Sequence, residues 1–193
     1  ILTQTFIVQL GTYAMAANAI CNSMANLLQI PGNAIGLGIV TIVGQCIGNR
    51  NVKDARKFVR SLLVLSSASF AVTTLVILPL FGPLVSLFSP PAQIVPLIHR
   101  IVLINALFQI PLWSVSFVLP SALRAAGDAN FTSVVSMLSM WLFRVVLGYL
   151  LGICTPLGLM GVWLAMDCEW GVRTLVFVLR YRGDKWYRHQ LIE

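Results

Sequence analysis

Long apolar runs separated by short polar gaps set the pattern of this chain. After a short stretch at Ile1–Leu10, an apolar segment extends from Tyr13 to Ile47, and further runs cover Ser61–Leu80, Ile94–Leu119, Phe131–Leu151 and Leu157–Leu179. A bilayer core takes about 20 consecutive apolar residues per helix. The runs therefore predict an all-α polytopic membrane protein over residues 1–193. Its spans fall at about 1–10 (partial), 13–47, 55–80, 94–119, 131–151 and 157–179, followed by a basic tail at 180–193.

The segment 13–47 is too long for one untilted crossing and is interrupted by Pro31-Gly32-Asn33. Either one helix kinks at Pro31, or two short segments form a hairpin there. Each arm of a hairpin would have about 17 residues, the lower limit for a crossing, and its turn would carry no charge. The kinked helix is the favoured reading. Asn51 is placed to cap the next helix, and Pro83, Pro90 and Pro91 break the following loop. Arg124–Asn130 reads as a turn in which Asp128 or Asn130 caps the helix that follows.

Charge sharpens the topology. Arg50, Lys53, Arg56, Lys57 and Arg60 fill one gap, Arg124 the next basic one, and Arg180, Arg182, Lys185 and Arg188 the tail. The intervening gaps, Gln9–Tyr13, Phe81–Ile94 and Gly152–Leu157, contain no Lys, Arg, Asp or Glu. Basic loops face the cytoplasm, so the C-terminus is expected there. Residues 1–10 then run outward, and the parity requires 13–47 to be a single crossing.

Composition agrees with this picture. Of 193 residues, 58% are hydrophobic and 10% charged, with a mean hydropathy of +0.88. A soluble domain carries about 25% charged residues, so this supply cannot build a water-facing surface. The net charge of +7 lies beside membrane spans, where lipid and topology account for it without nucleic acid. Cys21, Cys46, Cys154 and Cys168 lack metal-ligand spacing and read as buried free thiols. The opening residue is Ile1, and Thr3–Val8 reads as the end of a helix, which leads us to expect the C-terminal portion of something longer.

No enzyme constellation is present: His99 and His189 have neither nucleophile nor metal partner at useful spacing. Gly36-Leu37-Gly38 lies inside an apolar helix, where small residues point to close helix packing. The informative groups are ionisable residues inside spans, because each is costly in hydrocarbon and must face protein or water. Arg144, Asp167, Glu169 and Arg173 are such residues. Counted from the turn near Cys154–Leu157, Arg144 and Asp167 lie at matching depth, and Glu169 and Arg173 form an i,i+4 pair. They are read either as ion pairs fixing the last two helices or as a cation- or substrate-responsive carboxylate in a cavity.

Asn18, Asn22, Asn26 and Asn33 are spaced along one face of the long helix, and Gln45 follows. Asn105, Gln109, Ser114 and Ser116 cluster around Pro111. Such stripes serve interhelical hydrogen bonding or wall a water-filled cavity. Asn22, Gln45, Asn105 and Gln109 are the candidate cavity-lining residues.

These residues resemble a known family. Gln9-Leu10-Gly11 with Ala14–Ser23, and Pro31-Gly32 through Val43-Gly44-Gln45 to Gly48-Asn49-Arg50, resemble a half-repeat of the multidrug and toxic compound extrusion (MATE) transporters. Ser121–Asp128 is similar to that family's turn between its tenth and eleventh helices. Trp141–Arg144 with Gly148–Gly152, and Gly161-Val162-Trp163 with Glu169-Trp170 and Arg173, look like its last two helices.

The resemblance implies one six-helix lobe, its first helix truncated, of a twelve-helix fold in a bacterial plasma membrane. It also implies a missing N-terminal lobe as partner, Na⁺ or H⁺ as coupling ion and no cofactor. The expected activity is export of a small organic cation or amphipathic compound. The acid that many members carry in the first lobe lies outside this chain. The tenth-helix aspartate of some members has no counterpart, since the matching stretch reads Leu112-Trp113. Glu169 matches an acidic position common in the last helix. Two alternatives stay open. A lipid-linked oligosaccharide flippase would need a cationic cavity for a pyrophosphate, and a non-transporting scaffold would have dry, packed polar stripes.

Overall fold

The computed structural model describes residues 2–183 and 185–187; Arg188 and His189 of the basic tail lie outside the described residues. A short helix, α1 (Leu2–Gln9), is followed by two long ones, α2 (Thr12–Gly48) and α3 (Val52–Ser86), which pack along each other. At about 1.5 Å rise per residue these two measure roughly 50–55 Å. That exceeds a hydrocarbon core of about 30 Å, so their ends reach beyond it. Asn51 caps α3 by accepting the Asp54 amide at 3.2 Å.

α2 is continuous through Pro31. The next residue, Gly32, lies against Phe70 of α3 and Trp113: a Cβ there would come within 2.5 Å of the Phe70 ring and 2.6 Å of Trp113. The missing side chain lets α2 rest directly on this aromatic pair, whose ring centroids are 5.0 Å apart. Packing of this kind offsets the helical bond lost at proline. α3 likewise runs through Pro79 and Pro83 to Ser86, beyond the break expected at Pro83. Phe81 and Val85 of this last stretch are buried, and the Ser86 hydroxyl donates to the Pro83 carbonyl at 2.7 Å.

The next rod joins α4 (Val95–Trp113) to α5 (Leu119–Ala125) through a π-helical segment, Ser114–Val118. Here the Leu119 amide reaches back five residues to the Ser114 carbonyl, a wider turn that fits the missing N–H of Pro120. α6 (Ala129–Ser139) continues through a second π segment, Met140–Leu147, into α7 (Gly148–Ile153). A tight turn leads to α8 (Leu159–Arg182). Gly161 touches the Leu151 carbonyl, an approach that any side chain would block.

α2, α3, Val95–Ala125 and Ala129–Ile153 are each long and apolar enough to cross a membrane, and the chain is an integral membrane protein. α8 has 24 residues but carries Asp167, Glu169 and Arg173 in its middle. It also threads both halves of the core. Leu159, Val162 and Trp163 join Met24, Phe81 and Ile98 at the neutral end, while Trp170 and Phe177 join Phe70, Trp113 and Leu123 at the basic end.

Three local expectations need correction. Gly36 and Gly38 meet nothing within 4 Å and do not mediate close packing among the described residues. Asp128 stands at the N-cap of α6 but makes no side-chain cap bond. Its carboxylate instead takes the Arg180 guanidinium at 2.7 and 3.0 Å, since a bidentate charged pair outweighs a single cap bond. All four cysteines are free, yet only Cys21 is buried; Cys154 and Cys168 are exposed.

Candidate functional site

The charged centre of α8 faces two ways. At 100° per residue, Asp167 and Glu169 point about 200° apart, whereas Glu169 and Arg173 share a face. The Glu169 face looks toward α6 and the second π segment. Glu169 is almost fully buried and accepts from Arg144 Nε at 2.9 Å through one oxygen and from Arg173 at 3.3 Å through the other. Arg173 also donates to Ser136 of α6 at 3.1 Å, and its guanidinium lies 4.6 Å from the Phe117 ring centroid. One carboxylate thus holds two guanidinium groups, and the excess positive charge meets a ring face.

Depth along the helices places Arg144 opposite Asp167; the structure pairs it with Glu169. Azimuth decides, because Asp167 is turned to the opposite side of α8, toward α4. There Asn105 Nδ2 donates to Asp167 Oδ1 at 3.1 Å. Asp167 Oδ2 is buried without a hydrogen-bond partner among the described residues. One turn along α4, Gln109 is 1% exposed, and neither of its amide atoms is bonded. Thr174 donates to the Leu112 carbonyl at 3.1 Å. The two contacts are seven residues apart on both helices, so α4 and α8 run parallel and in register, with Gln109 level with Gly171. A cavity of about 10 Å³, lined by Asp167, Trp163, Met160, Ile101, Ile104 and Leu164, adjoins the carboxyl. That volume suits one water-sized group.

The four candidate cavity residues divide into separate places. Asn105 is buried against Asp167, and Gln109 is buried one turn along the same helix. Asn22 is half-buried and donates to the Asn18 carbonyl of its own helix at 2.8 Å. Gln45 is exposed near the basic end of α2. The asparagine stripe splits for a geometric reason: each four-residue step advances about 40° around the helix. Asn18 consequently faces inward, accepting from Trp163 Nε1 at 3.2 Å, while Asn26 and Asn33 are exposed. Asn33 joins Gly36, Leu37, Val40, Phe117 and Arg124 around an open groove of about 430 Å³.

Two features escaped the sequence reading. Arg100 is exposed within α4, a further charge inside an apolar run. Its signal was plain in the sequence, six residues into that run. The Asp128–Arg180 pair joins residues 52 apart, and nothing local announces it.

Comparison with known proteins places these observations in a family. A family model described as MatE matches residues 1–150. An uncharacterized transporter YisQ of Bacillus subtilis (strain 168) is 27% identical over 94% of this chain and 40% of its own length. A probable multidrug resistance protein NorM of Thermotoga maritima is 27% identical over 94% of this chain and 39% of its own. The crystal structure of a mutant Vibrio cholerae MATE transporter, VcmN, shares the fold with a TM-score of 0.70 at 22% identity, covering 97% of this chain and 42% of that one. The chain therefore spans about 40% of the length of these relatives.

Proposed function

Because the chain belongs to the MatE family, we propose that it forms one lobe of an antiporter that exports cationic or amphipathic organic compounds as H⁺ or Na⁺ enters. In this reading its partner is a second lobe across the open groove at Asn33 and Gly36, and the basic ends face the cytoplasm of a bacterial cell. The probable multidrug resistance proteins among the relatives support the substrate class.

One observation carries the coupling: Asp167 presents a buried carboxyl oxygen that no group among the described residues satisfies. In a low-dielectric interior such an oxygen is satisfied by a proton on the carboxyl, or by a water or a cation seated in the adjoining cavity. Asn105 donates to the other oxygen, and one turn along α4 the unbonded amide of Gln109 offers a further buried polar group. Asp167 is thus the cation-responsive carboxylate of this lobe, and the Arg144–Glu169–Arg173 cluster is the scaffold that holds the last helix around it. Replacing Asp167 by Asn in the complete transporter should abolish the dependence of efflux on the ion gradient. Unchanged gradient-driven efflux would reject the assignment.

A non-transporting scaffold draws support from the burial of Asn105 and Gln109, but it leaves the second oxygen of Asp167 without a purpose. Labelling of Asn105→Cys by a water-soluble thiol reagent separates the two, since only a transporter opens this interface. The flippase reading loses its cations, because Glu169 engages both Arg144 and Arg173.

A further inference from the structure

At the basic end, remote from Asp167, the first turns of α3 and the last turn of α8 enclose a pocket of about 400 Å³. Arg56, Lys57, Arg60 and Ser61 form one wall, and Tyr181 and Arg182 the other. The frame is built. Arg56 donates to the Gly183 carbonyl at 3.3 Å, and its guanidinium lies 5.5 Å from the Tyr187 ring and 5.9 Å from those of Tyr181 and Trp186. The Tyr181 hydroxyl donates to the Arg56 carbonyl at 3.0 Å, tying α8 to α3. Lys57, Arg60 and Arg182 are exposed. Asp54, one turn before the pocket on α3, is engaged by Asn51 at 2.6 Å.

Four cations converging on one concavity, with the Ser61 hydroxyl and no carboxylate among the described lining residues, is the donor set of a phosphate. The surroundings identify what carries it. Both helices become apolar immediately beyond the pocket, toward the neutral end: Val64 and Leu65 on α3 and Leu175 and Leu179 on α8 are all more than half exposed. An amphiphile with its phosphate among the cations would lay its chains on these side chains. Tyr181 and Tyr187, both partly exposed, stand at the same level, where aromatic residues mark the membrane–water boundary. A soluble phosphate would leave the apolar flanks unused. We propose that this pocket is a specific site for the headgroup of an anionic phospholipid in the leaflet at the basic end. The site is independent of the transport reading.

The test is the thermal stability of the complete protein in neutral detergent, titrated with phosphatidylglycerol, phosphatidylcholine or inorganic phosphate. Phosphatidylglycerol should raise the melting temperature saturably, and the other two should not. The double variant Arg60→Gln/Arg182→Gln should require an about tenfold higher phosphatidylglycerol concentration for the same rise. Lys53→Gln, on the same basic helix end but outside the pocket, should respond like the parent protein. Equal stabilisation by inorganic phosphate would overturn the lipid assignment. An equal loss in Lys53→Gln would show diffuse charge attraction and overturn the site. Titrations are compared within each variant, so a lower starting stability does not obscure the result.

Discussion

Arg144 and Glu169 meet at 2.9 Å across the hairpin of the last two rods, and the second oxygen of Glu169 holds Arg173 on its own helix. Removing the shared carboxylate charge leaves buried Arg173 and partly exposed Arg144 without their common counter-charge. Glu169→Gln should therefore cost about 3 kcal/mol, read as a lower melting temperature in detergent. An unchanged melt would show that the cluster does not hold these helices.

Asp128 and Arg180 form a second charged contact, bidentate at 2.7 and 3.0 Å, which ties the turn before α6 to the end of α8. Asp128→Asn keeps the shape and removes the charge, and should cost about 2 kcal/mol. Released from Arg180, the Asn side chain can cap α6, which offsets only part of this loss. Recovery of full stability in this variant would argue against the pair.

Glycine substitutions should divide sharply along α2. Gly32→Ala forces Phe70 and Trp113 to move and should cost about 1–3 kcal/mol. Gly36→Ala meets open space and should leave the melt of the lobe within about 0.5 kcal/mol. Comparable losses at both positions would contradict the packing described for Gly32.

The native cysteines report orientation. With the basic ends cytoplasmic, exposed Cys154 in the neutral turn should react with a membrane-impermeant maleimide on intact cells. Cys46, near the basic end of α2, should react only after permeabilisation, and buried Cys21 in neither case. The reverse order for Cys154 and Cys46 would invert the topology.

Most of the architecture was legible because hydropathy and charge are one-dimensional signals. The run lengths located the rods, and the neutral gap at Phe81–Ile94 separated α3 from α4. Charge inside an apolar run was legible too, which is how Arg144, Asp167, Glu169 and Arg173 were found, and so was their depth. Azimuth was not. Whether Asp167 or Glu169 faces Arg144 depends on a 200° rotation within α8 and on a π segment that shifts Arg144. Neither leaves a mark in residue order. Asn105 finds Asp167 across 62 residues because α4 and α8 run parallel in register, a property of the assembled lobe. Pro83 misled for a similar reason: a tertiary contact at Val85 overrode a local helix-breaking signal.

The central claim is that Asp167 responds to the coupling ion while Glu169 holds the structure. The most direct measurement is efflux of a fluorescent organic cation from proteoliposomes under an imposed H⁺ or Na⁺ gradient, with the Asp167→Asn protein beside the parent. The account predicts a correctly folded Asp167→Asn protein whose efflux no longer follows the gradient. Gradient-driven efflux equal to that of the parent would contradict it.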